Sequence, residues 1–228
     1  MTRSKILLIA STALCASNVH AANIIDSIHG IGAGSFENPG HTIPTFETYQ
    51  AGSTAITGWT VNTTNIDWVR KSVWNASQGN YSLDMNGTPG GPGGIQTVIP
   101  TTAGSTYRVT FDIAGFLTAG SSTNPKVMQT SAGGVDTLFS LVATESYSQP
   151  FTLSLAVTWS TRSFNFVATS ASSTIVFTSL TANDGSAMLL DNVSMEAVPE
   201  PTAAALLGAG MIGFALRRKR QFRSPATF

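Results

Sequence analysis

The sequence predicts an all-β domain, an antiparallel β-sandwich of jelly-roll type, and three observations predict it. Apolar residues alternate with polar ones at period two along several short segments. Clusters of glycine, serine, threonine and asparagine separate those segments, and no helical stretch interrupts them before the C-terminal tail. About nine or ten short strands of this kind pack as two sheets; a closed barrel has the same periodicity and stands as the alternative.

The N-terminal element is a secretory signal. Arg3 and Lys5 precede an apolar run from Ile6 to Leu14, and Val19-His20-Ala21 offers compact residues for cleavage. This assigns residues 1–21 to a signal peptide. Leu14 precedes Cys15, so the small residue that lipidation needs before the cysteine is missing, and Cys15, the only cysteine, leaves with the signal. The mature chain then reaches an oxidising compartment without a thiol, which excludes disulfides, thiolate metal sites and cysteine nucleophiles.

The central element, residues 22–197, is read as one domain, large enough to bury a sizeable core. Its clearest strand is Tyr107 to Ile113, with Tyr107, Val109, Phe111 and Ile113 on a core face and Arg108, Thr110 and Asp112 turned away. Phe151, Leu153, Leu155, Val157 and Trp159 alternate in the same way, Phe164 and Phe166 follow, Ile175 to Phe177 forms a short buried run, and Met188 to Met195 is the last strand. Turns fall at residues 183–186 and in the Gly/Pro loop at 87–94.

The last element, residues 198–221, begins VPEP, continues as an apolar run from Ala203 to Leu216 and ends in Arg217, Arg218, Lys219 and Arg220. A stable membrane span wants roughly 20 apolar residues, so this short transmembrane helix suits transient insertion in the inner membrane. Its basic end stays on the cytoplasmic side, with residues 222–228 as a cytoplasmic tail and everything before Pro199 outside.

Charge redistributes once both ends are set aside. Arg3, Lys5, Arg217, Arg218, Lys219, Arg220 and Arg223 lie in the terminal segments, leaving an acidic central domain inside a chain whose formal net charge is zero. An acidic surface with few basic residues argues against nucleic acid, whose phosphates require a basic stripe. Polysaccharides, proteins and small neutral ligands stay open as partners.

Pro199, Glu200 and Pro201, the apolar run and the basic cluster together resemble the PEP-CTERM sorting signal. The resemblance implies a Gram-negative bacterium that makes extracellular polysaccharide, and processing by the membrane transpeptidase exosortase. The body carries a second resemblance in Gly34-Ser35-Phe36-Glu37, Gly58-Trp59, Ile66-Asp67-Trp68, Gly79 to Gly87, Tyr107 to Asp112 and Leu190-Asp191-Asn192-Val193. In that order these segments resemble the choice-of-anchor C family, itself similar to a domain of unknown function in plant cell-wall proteins. This implies a galactose-binding-like jelly roll related to carbohydrate-binding modules, with cell-wall or extracellular polysaccharide as the associated partner.

In modules of that kind a calcium ion commonly joins the N-terminal segment to the last strand, and the resemblance places Glu37 and Asp191 at the corresponding positions. Oxygen ligands on irregular backbone suit such a structural ion; otherwise Asp191 caps a strand end and Glu37 is a solvated loop acid.

Catalytic patterns are sparse. Only His29 and His41 remain in the mature chain, no serine sits in a G-x-S-x-G elbow, and the loop at 87–94 lacks the Lys-Ser/Thr of a phosphate cradle. Dispersed carboxylates make some close pair inevitable, so a glycosidase pair is not legible. Aromatic side chains matter more, because sugar rings stack their C–H faces on indole or phenol. Trp59 and Trp159 read as core, and Trp68, alternating with Ile66, reads as core too. Trp74 opens a polar loop and is expected to be exposed. Trp74, Arg70, Asp67 and Asn86 are therefore the candidate sugar-binding residues.

The sequence thus leads to a secreted, noncatalytic, carbohydrate-binding-like module delivered through exosortase to the cell surface or the extracellular polysaccharide matrix of a biofilm. A structural or adhesive protein that binds other proteins comes second. A carbohydrate-active enzyme comes third.

Overall fold

Two antiparallel sheets face each other across a common apolar interior. In the computed structural model the described residues are 22–199 apart from 119, 122, 148–154 and 183. The signal peptide, Glu200, Pro201, the apolar run and the cluster Arg217 to Arg220 lie outside the described residues, as does the first half of the strand expected at 151–159.

A helix, α1 (Ile24–His29), precedes strands β1 (Phe46–Gln50), β2 (Thr60–Thr63), β3 (Asn65–Arg70), β4 (Tyr81–Asp84), β5 (Gly94–Pro100) and β6 (Thr106–Thr118). The chain continues through β7 (Lys126–Ala132), β8 (Val135–Leu141), β9 (Ser146–Tyr147), β10 (Ser160–Val167), β11 (Ser172–Ser179) and β12 (Ala187–Ala197). One sheet runs β1-β3-β4-β12-β6-β10, with β9 alongside the far end of β6; the other runs β2-β5-β11-β7-β8. This is the expected sandwich, so the barrel is set aside: the strands close into two sheets with separate edges.

The interior follows period-two alternation. Ile66 and Trp68 of β3, Leu83 of β4, Val109, Phe111 and Ile113 of β6, and Met188 and Leu190 of β12 meet Ile95, Ile99, Ile175 and Phe177 of the facing sheet. Each such aliphatic or phenyl side chain contributes about 1.5–3 kcal/mol on burial. Phe111 sits at the centre, with edge contacts to Phe139, Phe164 and Phe177. Trp59 and Trp68 are core, as expected, and both indoles donate to N-terminal carbonyls, Trp59 to Ala33 and Trp68 to Phe36.

Two local expectations are corrected. Residues 24–29 form a helix, capped by the Asn23 side chain on the Ile25 amide; at six residues it is too short to display a helical repeat. Residues 156–159 are not a strand. They follow Leu155, which makes an isolated parallel bridge with Trp74, and run as an extended strap. The alternation is real, because Val157 is buried and Leu155 and Trp159 are partly buried, but those side chains pack on the outside of the seven-stranded sheet.

Candidate functional site

That outer face carries a second apolar cluster, and the cluster exists because two segments fold over it. Val69, Ala114, Phe116, Ala187 and Leu189 are the outward alternates of β3, β6 and β12; Val73 and Trp74 come from the β3–β4 connection, and Val157 from the strap. The two covers are zipped together: Leu155 N donates to Val73 O, Asn75 N to Leu155 O, and Val157 N to the Asn75 side chain. Trp159 adds an indole bond to the Asn75 carbonyl.

Carboxylates fasten the β3–β4 connection. Asp191 Oδ2 accepts the backbone amides of Ser77 and Gln78 at 2.8 and 2.9 Å. Glu37 Oε1 accepts those of Asn80 and Tyr81 at 2.8 and 2.9 Å, and its Oε2 takes the Asn80 side chain at 3.2 Å. Asp112 accepts the Ser77, Thr161 and Asn192 side chains. Glycine permits the close approach. Gly79 has φ +72°, and a Cβ there would lie 2.3 Å from the Glu37 carboxyl carbon. Gly34 backs onto β12, where a Cβ would lie 2.0 Å from the Val193 carbonyl oxygen, and this contact seats Phe36 and aims Glu37 at the loop.

The structure therefore brings Glu37 and Asp191 to one loop, and the donor set does not fit calcium. Glu37 Oε1 and Asp191 Oδ2 each already accept two N–H groups, which occupies both lone pairs of each oxygen. A cation between them would meet the positive ends of amide dipoles, whereas calcium requires six to eight free oxygens. Nor do three or more acidic, histidine or cysteine side chains converge on a metal-sized point among the described residues. These residues form a carboxylate–amide clasp.

Beside the clasp, under the loop, lies a cavity of about 190 Å³. Its apolar wall is Phe46, Val69, Val73, Trp74 and Phe116; its polar wall is Asp67, Asp84, Thr88 and Thr118, with Gly185 at one end. Asp67 and Asp84 face each other across the β3–β4 pair. Asp67 is held by the Thr48 hydroxyl and by the amide and hydroxyl of Thr88. Asp84 Oδ1 accepts the Asn86 amide. Burial pushes the Asp84 carboxyl up to about 8, with Asp67 adding to the rise and the Asn86 amide and Lys126 opposing it.

Of the sugar-binding candidates, Trp74 and Asp67 line this cavity, and Arg70 and Asn86 do not. Trp74 is only 4% exposed, which corrects the expectation of an exposed ring. Its Nε1 donates to Ser82 Oγ and its ring packs on Phe116. Asn86 is buried in a structural role, donating to Thr181 O and accepting from Ser179. Arg70 is exposed at the end of β3. Sequence reasoning missed Asp84, Phe46 and Phe116. Asp84 and Asp67 are the outward alternates of Leu83 and Trp68, a pattern that could have found the pair had the β3–β4 register been known.

A pH prediction follows. An acid with a folded pKa near 8 and an ordinary unfolded pKa near 3.9 binds more protons when folded between those values. Its stabilising contribution is complete below the unfolded pKa and is lost as pH rises through 8. Asp191 adds in the same sense: burial pushes it up to about 7, helped by Glu37 and opposed by three backbone amides. His41, raised by its bond to Glu47, also contributes in that direction. Unfolding free energy from urea titration is expected to fall by about 4 kcal/mol from pH 6 to pH 9, roughly two pH units' worth from Asp84 and one from Asp191 at about 1.4 kcal/mol per unit. Asp84→Asn should flatten most of that slope; an unchanged slope would refute the assignment.

The family model described as a protein of unknown function (DUF642) matches residues 30–196, and that of the PEP-CTERM protein-sorting motif matches residues 197–220. Halomucin of Haloquadratum walsbyi is 31% identical over 177 residues, which is 75% of this chain and 2% of that protein. The chain therefore spans a very small part of that relative. Among solved structures, TmCBM61 in complex with β-1,4-galactotriose is 14% identical, with 77% of this chain and 99% of that one covered at a TM-score of 0.39. The Stig cyclase Fisc from Fischerella sp. TAU is 17% identical, with coverages of 73% and 94% and a TM-score of 0.43.

Proposed function

Because the chain belongs to the DUF642 family and carries the PEP-CTERM protein-sorting motif, we propose that it is a noncatalytic module that binds polysaccharide outside the cell. Exosortase acts on the Pro199-Glu200-Pro201 segment, and the chain is its substrate. The domain is then delivered to the cell surface or the polysaccharide matrix.

The observation that carries the binding reading is the cavity on the outer face of the seven-stranded sheet. Phe46, Trp74 and Phe116 offer ring surface for the C–H face of a sugar, and Asp67, Asp84, Thr88 and Thr118 offer hydroxyl partners. Its volume of about 190 Å³ suits one sugar ring, not a long stretch of chain. The noncatalytic reading follows from the partners of the acids. Asp67 is held by threonine donors that fix it as an acceptor, and the nearest opposed carboxyl is a direct cross-strand neighbour. Such neighbours stand about 4.5–5.5 Å apart at Cβ and lie on one side of any bound ring, whereas glycosidases flank the bond from two sides.

The test is retention of the full chain, in mild nonionic detergent, on immobilised polysaccharides. Thr118→Trp, which plugs the cavity from a half-buried position, should abolish retention on whichever polysaccharide holds the wild type. Retention by the plugged variant would remove the cavity from the reading, and release of reducing ends would make the protein an enzyme.

A further inference from the structure

The chemistry of the cavity is more selective than the proposed function requires. Its lining holds two carboxyls and no basic side chain. Lys126, the basic group whose charge reaches Asp84, is fully buried, and its Nζ donates to Thr123 O and to the Ser186 hydroxyl. Its charge acts on both Asp184 and Asp84, and the Asp184 carboxylate accepts from Ser121, Thr123 and Ser186. Lys126 therefore offsets part of the charge of the Asp67–Asp84 pair from a distance, with no hydrogen bond to either carboxyl among the described residues, and the pair stays acidic beside three aromatic rings.

Carboxylates alone could serve as structural anchors, as Asp112 and Asp191 do. Asp84 differs from both. Each of those two accepts three donors, whereas among the described residues Asp84 accepts the Asn86 amide alone, and it lines a cavity with room for a ligand. An acid with spare acceptor capacity beside indole and phenyl rings is the arrangement that holds an ammonium group, by ion pairing and by the negative faces of the rings. The same arrangement repels a uronate, whose carboxylate would be a third acid in one small chamber.

We propose that the cavity is specific for a cationic sugar, a hexosamine residue with a free amine, over its N-acetylated or neutral counterpart. The proposal rests on the reading of this cavity as the polysaccharide site. The amine sits against Asp84, with Asp67 adding charge from the neighbouring strand and the aromatic wall covering the ring. Entry of an ammonium displaces the proton that Asp84 carries at neutral pH, so binding releases a proton to the buffer.

The experiment is isothermal titration of the full chain in mild detergent, at pH 7 and physiological salt. The probes are a glucosamine hexasaccharide, its fully N-acetylated twin and a neutral galactose hexasaccharide, each in two buffers of different ionisation enthalpy. Binding of the glucosamine oligomer should be about tenfold tighter than of its acetylated twin, with proton release. Asp84→Asn should remove the preference and the proton release while keeping the wild-type circular dichroism spectrum. Equal or tighter binding of the acetylated or neutral oligomer, still lost in Thr118→Trp, would overturn the amine specificity and leave the polysaccharide reading standing. Amine-oligomer binding that survives both substitutions would mean attraction to the acidic surface, and it overturns the proposal. If none of the three oligomers is bound and the retention test also finds no polysaccharide, both readings fall together.

Discussion

Asp191→Ala is expected to destabilise the domain by about 3–5 kcal/mol and to open the cavity. The side chain is fully buried on β12, and its oxygens take three backbone amides, those of Ser77, Gln78 and Asn192. Alanine leaves those part-buried donors without their acceptor, at about 1–3 kcal/mol for each that stays out of reach of water. The loop that holds Ser77 and Gln78 also carries Trp74, so its detachment removes one wall of the cavity as well. Urea unfolding would measure the first effect, and a change in the ultraviolet-excited fluorescence of Trp74 against a Trp74→Phe background the second. Asp191→Asn keeps one acceptor oxygen and should lie between the two. Because the clasp is built from amides, neither added calcium nor excess EDTA should move the melting temperature of the wild type. A calcium-dependent rise would show that the ion competes successfully for these oxygens and would restore Glu37 and Asp191 as ligands.

How far the sequence revealed this arrangement can be traced residue by residue. The face formed by Tyr107, Val109, Phe111 and Ile113 was legible because it packs against a facing sheet, the circumstance that period-two alternation reports. Trp59 and Trp68 were legible for the same reason. The opposite face was not. Asp67, Asp112 and Asp191 occupy the alternate positions that normally meet solvent, yet each is buried, because the β3–β4 connection and the 155–159 strap cover the seven-stranded sheet from outside. Alternation gives the side of a strand on which a residue lies, and only tertiary structure gives what covers that side. Glu37 and Asp191 were singled out through a family resemblance. Their convergence on one loop is visible in the structure, and the amides that fill their lone pairs had no signature in the side-chain sequence. Asp84 escaped because its partnership with Asp67 depends on the register of two strands joined by a ten-residue connection, too long for turn geometry to fix the pairing.

The position where sequence and structure disagree most also carries the other large effect. Trp74→Ala is expected to cost about 3–5 kcal/mol, the range for truncating a buried indole. An exposed sugar-stacking ring would lose binding at almost no cost to folding, so stability separates the two placements before any ligand is added. The ring packs on Phe116 within the outer cluster, and its Nε1 donates to Ser82 at 2.9 Å. Trp74→Phe keeps most of the ring packing and gives up that hydrogen bond, which should cost about 1–2 kcal/mol with the fold retained. Arg70→Ala, at the exposed end of the same strand that leads into the loop, should change stability by less than about 0.5 kcal/mol. Binding then has a clean reading: Trp74→Phe tests the cavity wall in a folded protein, and Arg70→Ala tests the candidate that lies outside the cavity lining. If Trp74→Ala unfolds at the wild-type urea midpoint, the indole is not holding the loop on the sheet, and the cavity beneath it lacks the aromatic wall on which its selectivity depends.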